Sequence, residues 1–204
     1  MIENKVSFFG RLTPILAPSE LLQIELAYLL AKDKHKHQQR KDEKDSSGNP
    51  LRYFEHPKRV AIILMDEHGI FEPNFIKAAL GHDLLEDTNI SPELLEYCFG
   101  TTSTRWIKML SKVPKEGYYD RLKSFGTWEA MFIKLCDRLD NLRSIGESKE
   151  FIEKQIDDTE RNIYPLAGEL LLKAPDNKRL DCHNLAHKIR IKVEELHQQT
   201  KETT

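Results

Sequence analysis

The chain has 204 residues, 39% of them hydrophobic and 31% charged, enough to bury the core of one large domain or two small ones. Lys and Arg total 31 against 33 Asp and Glu, a net charge of -2, so no global field draws nucleic acid or an anionic membrane, and an anionic ligand has to be met by a local cluster. No apolar run approaches the ~20 residues that span a bilayer, and the opening MIENKVSFFGRLTP carries charges too early for a secretory signal. The expected setting is cytoplasmic, with no membrane and no nucleic-acid partner. Cys98, Cys136 and Cys182 are odd in number and widely spaced, which fits neither a disulfide framework nor a Cys-x-x-Cys site, so they read as buried or idle thiols.

Apolar residues recur at helical spacing along most of the chain, and no stretch sustains an alternation of period two. The expected fold class is therefore all-α, a single helical domain over residues 1–204 with 1–18 and 200–204 peripheral. A first helix runs from about Ser19 to His37, with Leu22, Leu26, Leu29 and Leu30 at helical spacing. KDEKDSSGNP, residues 41–50, follows as a polar surface loop. A second helix opens at Pro57 and is capped by Gly69. A third begins near Pro73 and continues through Asp87. A fourth is announced by Ser91, Pro92 and Glu93 and closed by Gly100. Further helices cover residues 102–113, 119–124 and 128–145, then 151–173 and 180–199, with a frayed tail.

In the third helix His82, Asp83, Glu86 and Asp87 fall at about 0°, 100°, 40° and 140° on the helical wheel, one shared face. A solvated polar face is the plain reading of such a cluster. Ile76 and Ala79 project onto the same arc, however, and Leu80, Leu84 and Leu85 occupy much of the rest. A helix apolar on nearly every side is buried, and its acids need a partner, of which a metal ion is the simplest. Asp137 and Asn141, four residues apart, stack on one face of the helix near residue 140; alone they also fit a surface ion-pair pattern with Arg138 or Arg143. His56, at the cap of the helix opened by Pro57, is placed to point inward. Together His56, His82, Asp83 and Asp137 offer two imidazoles and two carboxylates from three helices. Such mixed ligands suit Mn²⁺, Fe²⁺ or Zn²⁺ better than Ca²⁺ and leave positions for water and substrate. His35 and His37, among lysines, read as a solvated helix end.

The ordered series His35-x-x-Gln38-x-Arg40-Lys41, Gly48-x-Pro50, His56-Pro57-x-x-Val60-Ala61, Ala78-Ala79-Leu80-x-His82-Asp83-x-x-Glu86-Asp87-Thr88 and Lys134-Leu135-x-Asp137-Arg138-Leu139-x-Asn141 resembles the HD-domain hydrolases of the Rel/Spo family, especially the small alarmone hydrolases. The resemblance implies an HD-domain helical bundle that removes the 3′-pyrophosphate of guanosine tetra- and pentaphosphate with Mn²⁺. It implies metal ligation by His56, His82, Asp83 and Asp137 and water activation by Glu86 and Asp87. Arg40, Lys41 and Asn141 are implied nucleotide contacts. Tyr164, in Asn162-Ile163-Tyr164-Pro165, resembles a family segment whose tyrosine can line the nucleotide pocket, and is equally readable as a core tyrosine. Lys134, Arg138, Arg143 and Ser144 are secondary candidates for phosphate.

Three departures from the family pattern stand out. The stretch from Lys41 to His56 is longer than usual, and Leu51-Arg52-Tyr53 replaces the expected proline-tyrosine junction, which leaves purine choice open. Asp140 stands where the family has histidine, at a position that is not a ligand. The synthetase domain of the long family members has no room here, so the chain is expected only to degrade. Two other readings remain: the same site acting on adenosine alarmones or on the 2′-phosphate of NADPH, and a non-catalytic nucleotide-sensing or antitoxin-like module, against which Glu86 and Asp87 argue. Oligomeric state is not readable from the sequence.

Overall fold

The computed structural model describes residues 4–146 and 148–202, the side chains of residues 41 and 42 excepted. The chain divides into two compact units, Met1–Glu116 and Gly117–Thr204.

The first unit opens with α1 (Lys5–Leu12), whose N-terminus is capped by the Asn4 side chain. Phe8 and Leu12 are fully buried and the Phe8 ring lies 5.2 Å from that of Tyr28, so a stretch expected to be peripheral supplies core. In α2 (Pro18–Lys34) the buried residues are Ile24, Ala27, Tyr28 and Ala31, whereas Leu22, Leu26 and Leu29 are exposed. The inward stripe is thus offset from the leucines, and its two alanines admit the close packing of a neighbouring helix.

Strands β1 (Gln39–Lys44) and β2 (Pro50–Arg52) pair antiparallel, Gln39 opposite Arg52 and Lys44 opposite Pro50. The polar loop expected over residues 41–50 is therefore half ribbon. Its turn is built by the Asp45 carboxylate, which accepts from the N–H groups of Ser47 and Asn49, and by Gly48 at φ 82, a left-handed conformation suited to glycine. Such a ribbon shows no apolar alternation, the signal by which a strand is read.

The ribbon leads into α3 (Glu55–Ile62) and one π turn, Ile63–Glu67. Next come α4 (Pro73–Gly81), the short α5 (Leu84–Asp87) and α6 (Pro92–Leu110). Ser91 caps α6 as its sequence predicts, and Gly100 breaks that helix at φ 77, ψ 160. Every residue of α4 from Phe75 to Gly81 is buried, and α2, α3 and α6 all pack on it, which makes it the central helix of its unit.

The second unit contains α7 (Tyr118–Phe125), α8 (Trp128–Arg143), α9 (Lys149–Asp158), a π turn at Thr159–Ile163, α10 (Tyr164–Lys173) and α11 (Arg179–Glu202). Here α8 is central. Its residues Ala130 to Asp140 are all buried, with α10 and α11 packed against it. In α11 the stripe Cys182, Leu185, Ile189, Val193 and Leu196 faces the core, and Thr200, in the expected peripheral tail, is buried too. The three cysteines are free and buried. Among the described residues no helix is long and apolar enough to cross a membrane.

Candidate metal centre

The residues that the sequence marks for chemistry lie on β1, on α3, on the link after α4 and on α5 in the first unit, and on α8, at its end and on α10 in the second. On the first unit's side, α4 stops at Gly81, and His82 and Asp83 link it to α5. This corrects the expectation of one continuous helix from Pro73 through Asp87. Asp83 sits at φ -97, ψ -5, and its carbonyl accepts from the N–H groups of Glu86 and Asp87 at 3.1 and 3.0 Å, starting a new turn rather than extending the old one.

His56, in the first turn of α3, His82 and Asp83 converge, and all three are buried. The two imidazole rings lie 5.1 Å apart, with a ring nitrogen of each within 4.8 Å of the other. Asp83 Oδ2 stands 3.0 Å from His82 Nε2 and 3.6 Å from His56 Nε2. The partner of His82 Nδ1, at 2.8 Å, is the Ala79 carbonyl, which can only accept; Nδ1 therefore carries the hydrogen, and in the neutral ring Nε2 presents a lone pair. A lone pair facing a carboxylate oxygen at 3.0 Å calls for a proton or a cation between them. Two imidazoles and a buried carboxylate fit a divalent metal ion.

Glu86 and Asp87 follow on α5. Glu86 is half-buried, its Oε1 accepting from the Lys112 backbone N–H at 2.6 Å and its Oε2 lying 3.5 Å from the Lys112 ammonium. The Asp87 side chain is exposed, while its carbonyl accepts from Gln38 Nε2 at 2.6 Å. Arg40 pairs with Glu43 at 2.6 Å and its guanidinium lies 5.8 Å from the centre of the Tyr53 ring. The Tyr53 hydroxyl donates to Asp83 Oδ2 at 2.6 Å, so the expected nucleotide contact is tied to the His/Asp cluster through one aromatic ring. The side chain of Lys41, an expected nucleotide contact, lies outside the described ones.

In the second unit, Asp137 is buried on α8 and held from both sides: Lys134 Nζ donates to Oδ2 at 2.5 Å and Asn141 Nδ2 to Oδ1 at 2.6 Å. Burial alone would lower the Lys134 pKa, but the Asp137 carboxylate and Tyr119 beside it hold the ammonium above its ordinary value. The stacking of Asp137 and Asn141 is thus as the spacing predicts, with Asp137 buried and Asn141 half-buried, and not a surface ion pair. Arg138 reaches Gln155 at 2.8 Å and also pairs with Asp158, bracing α8 to α9. Ser144 ends α8 with its hydroxyl donating to the Asp140 carbonyl at 2.8 Å. Tyr164 opens α10 with the Arg190 guanidinium 5.5 Å from its ring centre; burial and Glu160 raise its pKa.

Sequence reasoning misses four residues here. His35 is fully buried rather than solvated, because the chain turns into the ribbon directly after α2 and carries that ring inward while His37 stays exposed. Gln38, Tyr53 and Lys112 join it by touching α5 or Asp83. The spacing His35-x-x-Gln38-x-Arg40 is the signal that was present for the first two.

No protein-family model matches the chain. Among curated proteins, it is 32% identical over 157 residues to the GTP pyrophosphokinase rsh of Brucella melitensis, covering 71% of this chain and 20% of that protein. It is 30% identical over 168 residues to the bifunctional (p)ppGpp synthase/hydrolase SpoT of Escherichia coli K12, covering 76% of this chain and 23% of that one. The guanosine-3′,5′-bis(diphosphate) 3′-pyrophosphohydrolase of Shigella flexneri matches to the same degree. The chain thus spans about a fifth of the length of the curated relatives it matches. A solved structure described as a metazoan ortholog of SpoT that hydrolyzes ppGpp shares the fold, with a TM-score of 0.51 and 24% identity over 88% of this chain and 92% of that one. Fold and cluster together define a mostly helical chain with a candidate metal centre. It is related in sequence to the Rel/Spo proteins, as its ordered motifs imply.

Proposed function

We propose that the protein is a cytoplasmic, metal-dependent hydrolase of guanosine tetra- and pentaphosphate that releases the 3′-pyrophosphate. The observation that carries this reading is His82 Nε2 set 3.0 Å from Asp83 Oδ2, with His56 beside them and two further acids, Glu86 and Asp87, on the next turn. The names of the sequence relatives support the choice of substrate.

In this reading His56, His82 and Asp83, together with Asp137, would hold one Mn²⁺. When bound, the ion lowers the pKa of a water and offsets phosphate charge. Either carboxylate, Glu86 or Asp87, would accept the single proton that an attacking water gives up. Lys112, through its N–H, fixes one oxygen of Glu86 and so aims the other. Arg40 meets phosphate or stacks on the purine, with Lys41 as a point charge. Asn141 and Ser144 line the nucleotide on the α8 side, as does Tyr164 on α10.

Cleavage at the phosphorus attached to the ribose 3′ oxygen turns guanosine tetraphosphate into GDP and pyrophosphate. Incubation with Mn²⁺ and separate assay of pyrophosphate and orthophosphate tests it, with adenosine alarmones and NADPH run alongside. Pyrophosphate from the guanosine substrate is expected. Orthophosphate as the sole product, or turnover of NADPH alone, overturns the assignment.

A further inference from the structure

We infer that Gln38 and Tyr53, the residues that bracket the β1–β2 ribbon, are positioning residues that clamp the Asp83–Asp87 turn at both ends; the catalytic consequence rests on the function proposed above. At one end, Gln38 Nε2 donates to the Asp87 carbonyl at 2.6 Å. Only the amide NH₂ can donate to a carbonyl, so Gln38 Oε1 is the atom 2.7 Å from His35 Nδ1, and that nitrogen must carry a hydrogen. The orientation of the amide and the tautomer of the buried ring therefore fix each other. His35 Nε2 is buried with no hydrogen-bond partner among the described residues, and burial lowers the pKa of this ring.

At the other end, the Tyr53 hydroxyl donates to Asp83 Oδ2 at 2.6 Å. The two ends are one unit. The Tyr53 backbone N–H donates to the Gln38 carbonyl at 2.9 Å, the His35 and Tyr53 rings lie 4.9 Å apart at 32°, and Gln39 pairs with Arg52 across the base of the ribbon.

The turn needs such a hold. Helix α5 has four residues, too few to satisfy its own last carbonyls, and a helix that short has little stability of its own. Gln38 reaches across 49 residues of sequence to cap it. It thereby sets the direction in which Asp87 and Glu86 face, whereas Tyr53 sets Asp83.

The experiment uses the full chain with Gln38→Met, which keeps length and loses both polar atoms, and Tyr53→Phe, which loses only the hydroxyl. Gln38→Met is expected to lower kcat at least about tenfold, as misplaced catalytic groups do, with KM within about twofold and Mn²⁺ content unchanged. In an Asp87→Asn background it should cost less than in the wild type, because part of its effect runs through the Asp87 side chain. Tyr53→Phe is expected to weaken Mn²⁺ about 10–100-fold, the usual effect of losing a hydrogen bond to a metal ligand. Hydrogen exchange reads the clamp without substrate: the amides of Asp87 and Thr88 should exchange at least about tenfold faster in Gln38→Met while α11 is unchanged. Unchanged exchange in Gln38→Met, or losses fully additive with Asp87→Asn, overturns the clamp. A wild-type protein that releases no pyrophosphate overturns the proposed function instead, leaving exchange and Mn²⁺ affinity to judge the clamp.

Discussion

The buried carboxylate of Asp83 takes a hydroxyl from Tyr53 and faces two imidazoles, while that of Asp137 takes an ammonium and an amide. His82→Ala and Asp137→Ala are each expected to abolish stoichiometric Mn²⁺ binding, measured by elemental analysis of dialysed protein; a variant that retains one ion per chain removes its residue from the ligand set. The proposed function gives Glu86 and Asp87 a different task. Glu86→Gln with Asp87→Asn should keep the ion yet lower kcat at least ~10²-fold, the scale of lost general acid–base help. Near-native kcat in that double variant would leave water activation to the ion alone.

Helix α4 can sit at the centre of its unit because Gly81 has no side chain. A Cβ built there would lie 2.4 Å from Phe99 Cε1 and 2.8 Å from Ile107 Cδ1, so α6 packs onto bare backbone directly before His82. Gly81→Ala is expected to destabilise the protein by about 1–3 kcal/mol, the range for overpacking a core, and to lower activity by moving His82; an unchanged Tm would mean that Phe99 swings away freely. This close approach is not legible in the chain, where Gly81 is one residue of an apolar run. Other features are. The start of α6 at Ser91 and Pro92 and its break at Gly100 rest on local backbone chemistry that residue type alone specifies. The pairing of His82 with Asp83 is readable from the chain, but the interruption after Gly81 is not, and it undoes the continuous wheel that put Glu86 and Asp87 on the same face: Asp87 is exposed and Glu86 is held by Lys112. The ribbon escapes because its residues are polar on both faces. The burial of His35 escapes because it depends on where the chain goes after α2, not on the lysines around it.

Across the whole molecule, the proposed ligand set draws three groups from the unit Met1–Glu116 and one, Asp137, from the unit Gly117–Thr204. An ion that needs both would make metal binding and folding one equilibrium. The single-domain reading of the sequence then predicts one cooperative thermal transition in the metal-loaded protein, with calorimetric and van't Hoff enthalpies equal. Free Mn²⁺ at about 100 times its Kd contributes about 2.7 kcal/mol to stability. At about 2–4 °C per kcal/mol for a chain of this size, Tm should rise by about 5–10 °C over the chelated protein, and His82→Ala should show no rise. Hydrogen exchange locates the effect: Mn²⁺ should protect amides of α8 around Asp137 as well as those flanking His82. Protection confined to the first unit, or an equal Tm rise in His82→Ala, would place the ion elsewhere than on these four residues.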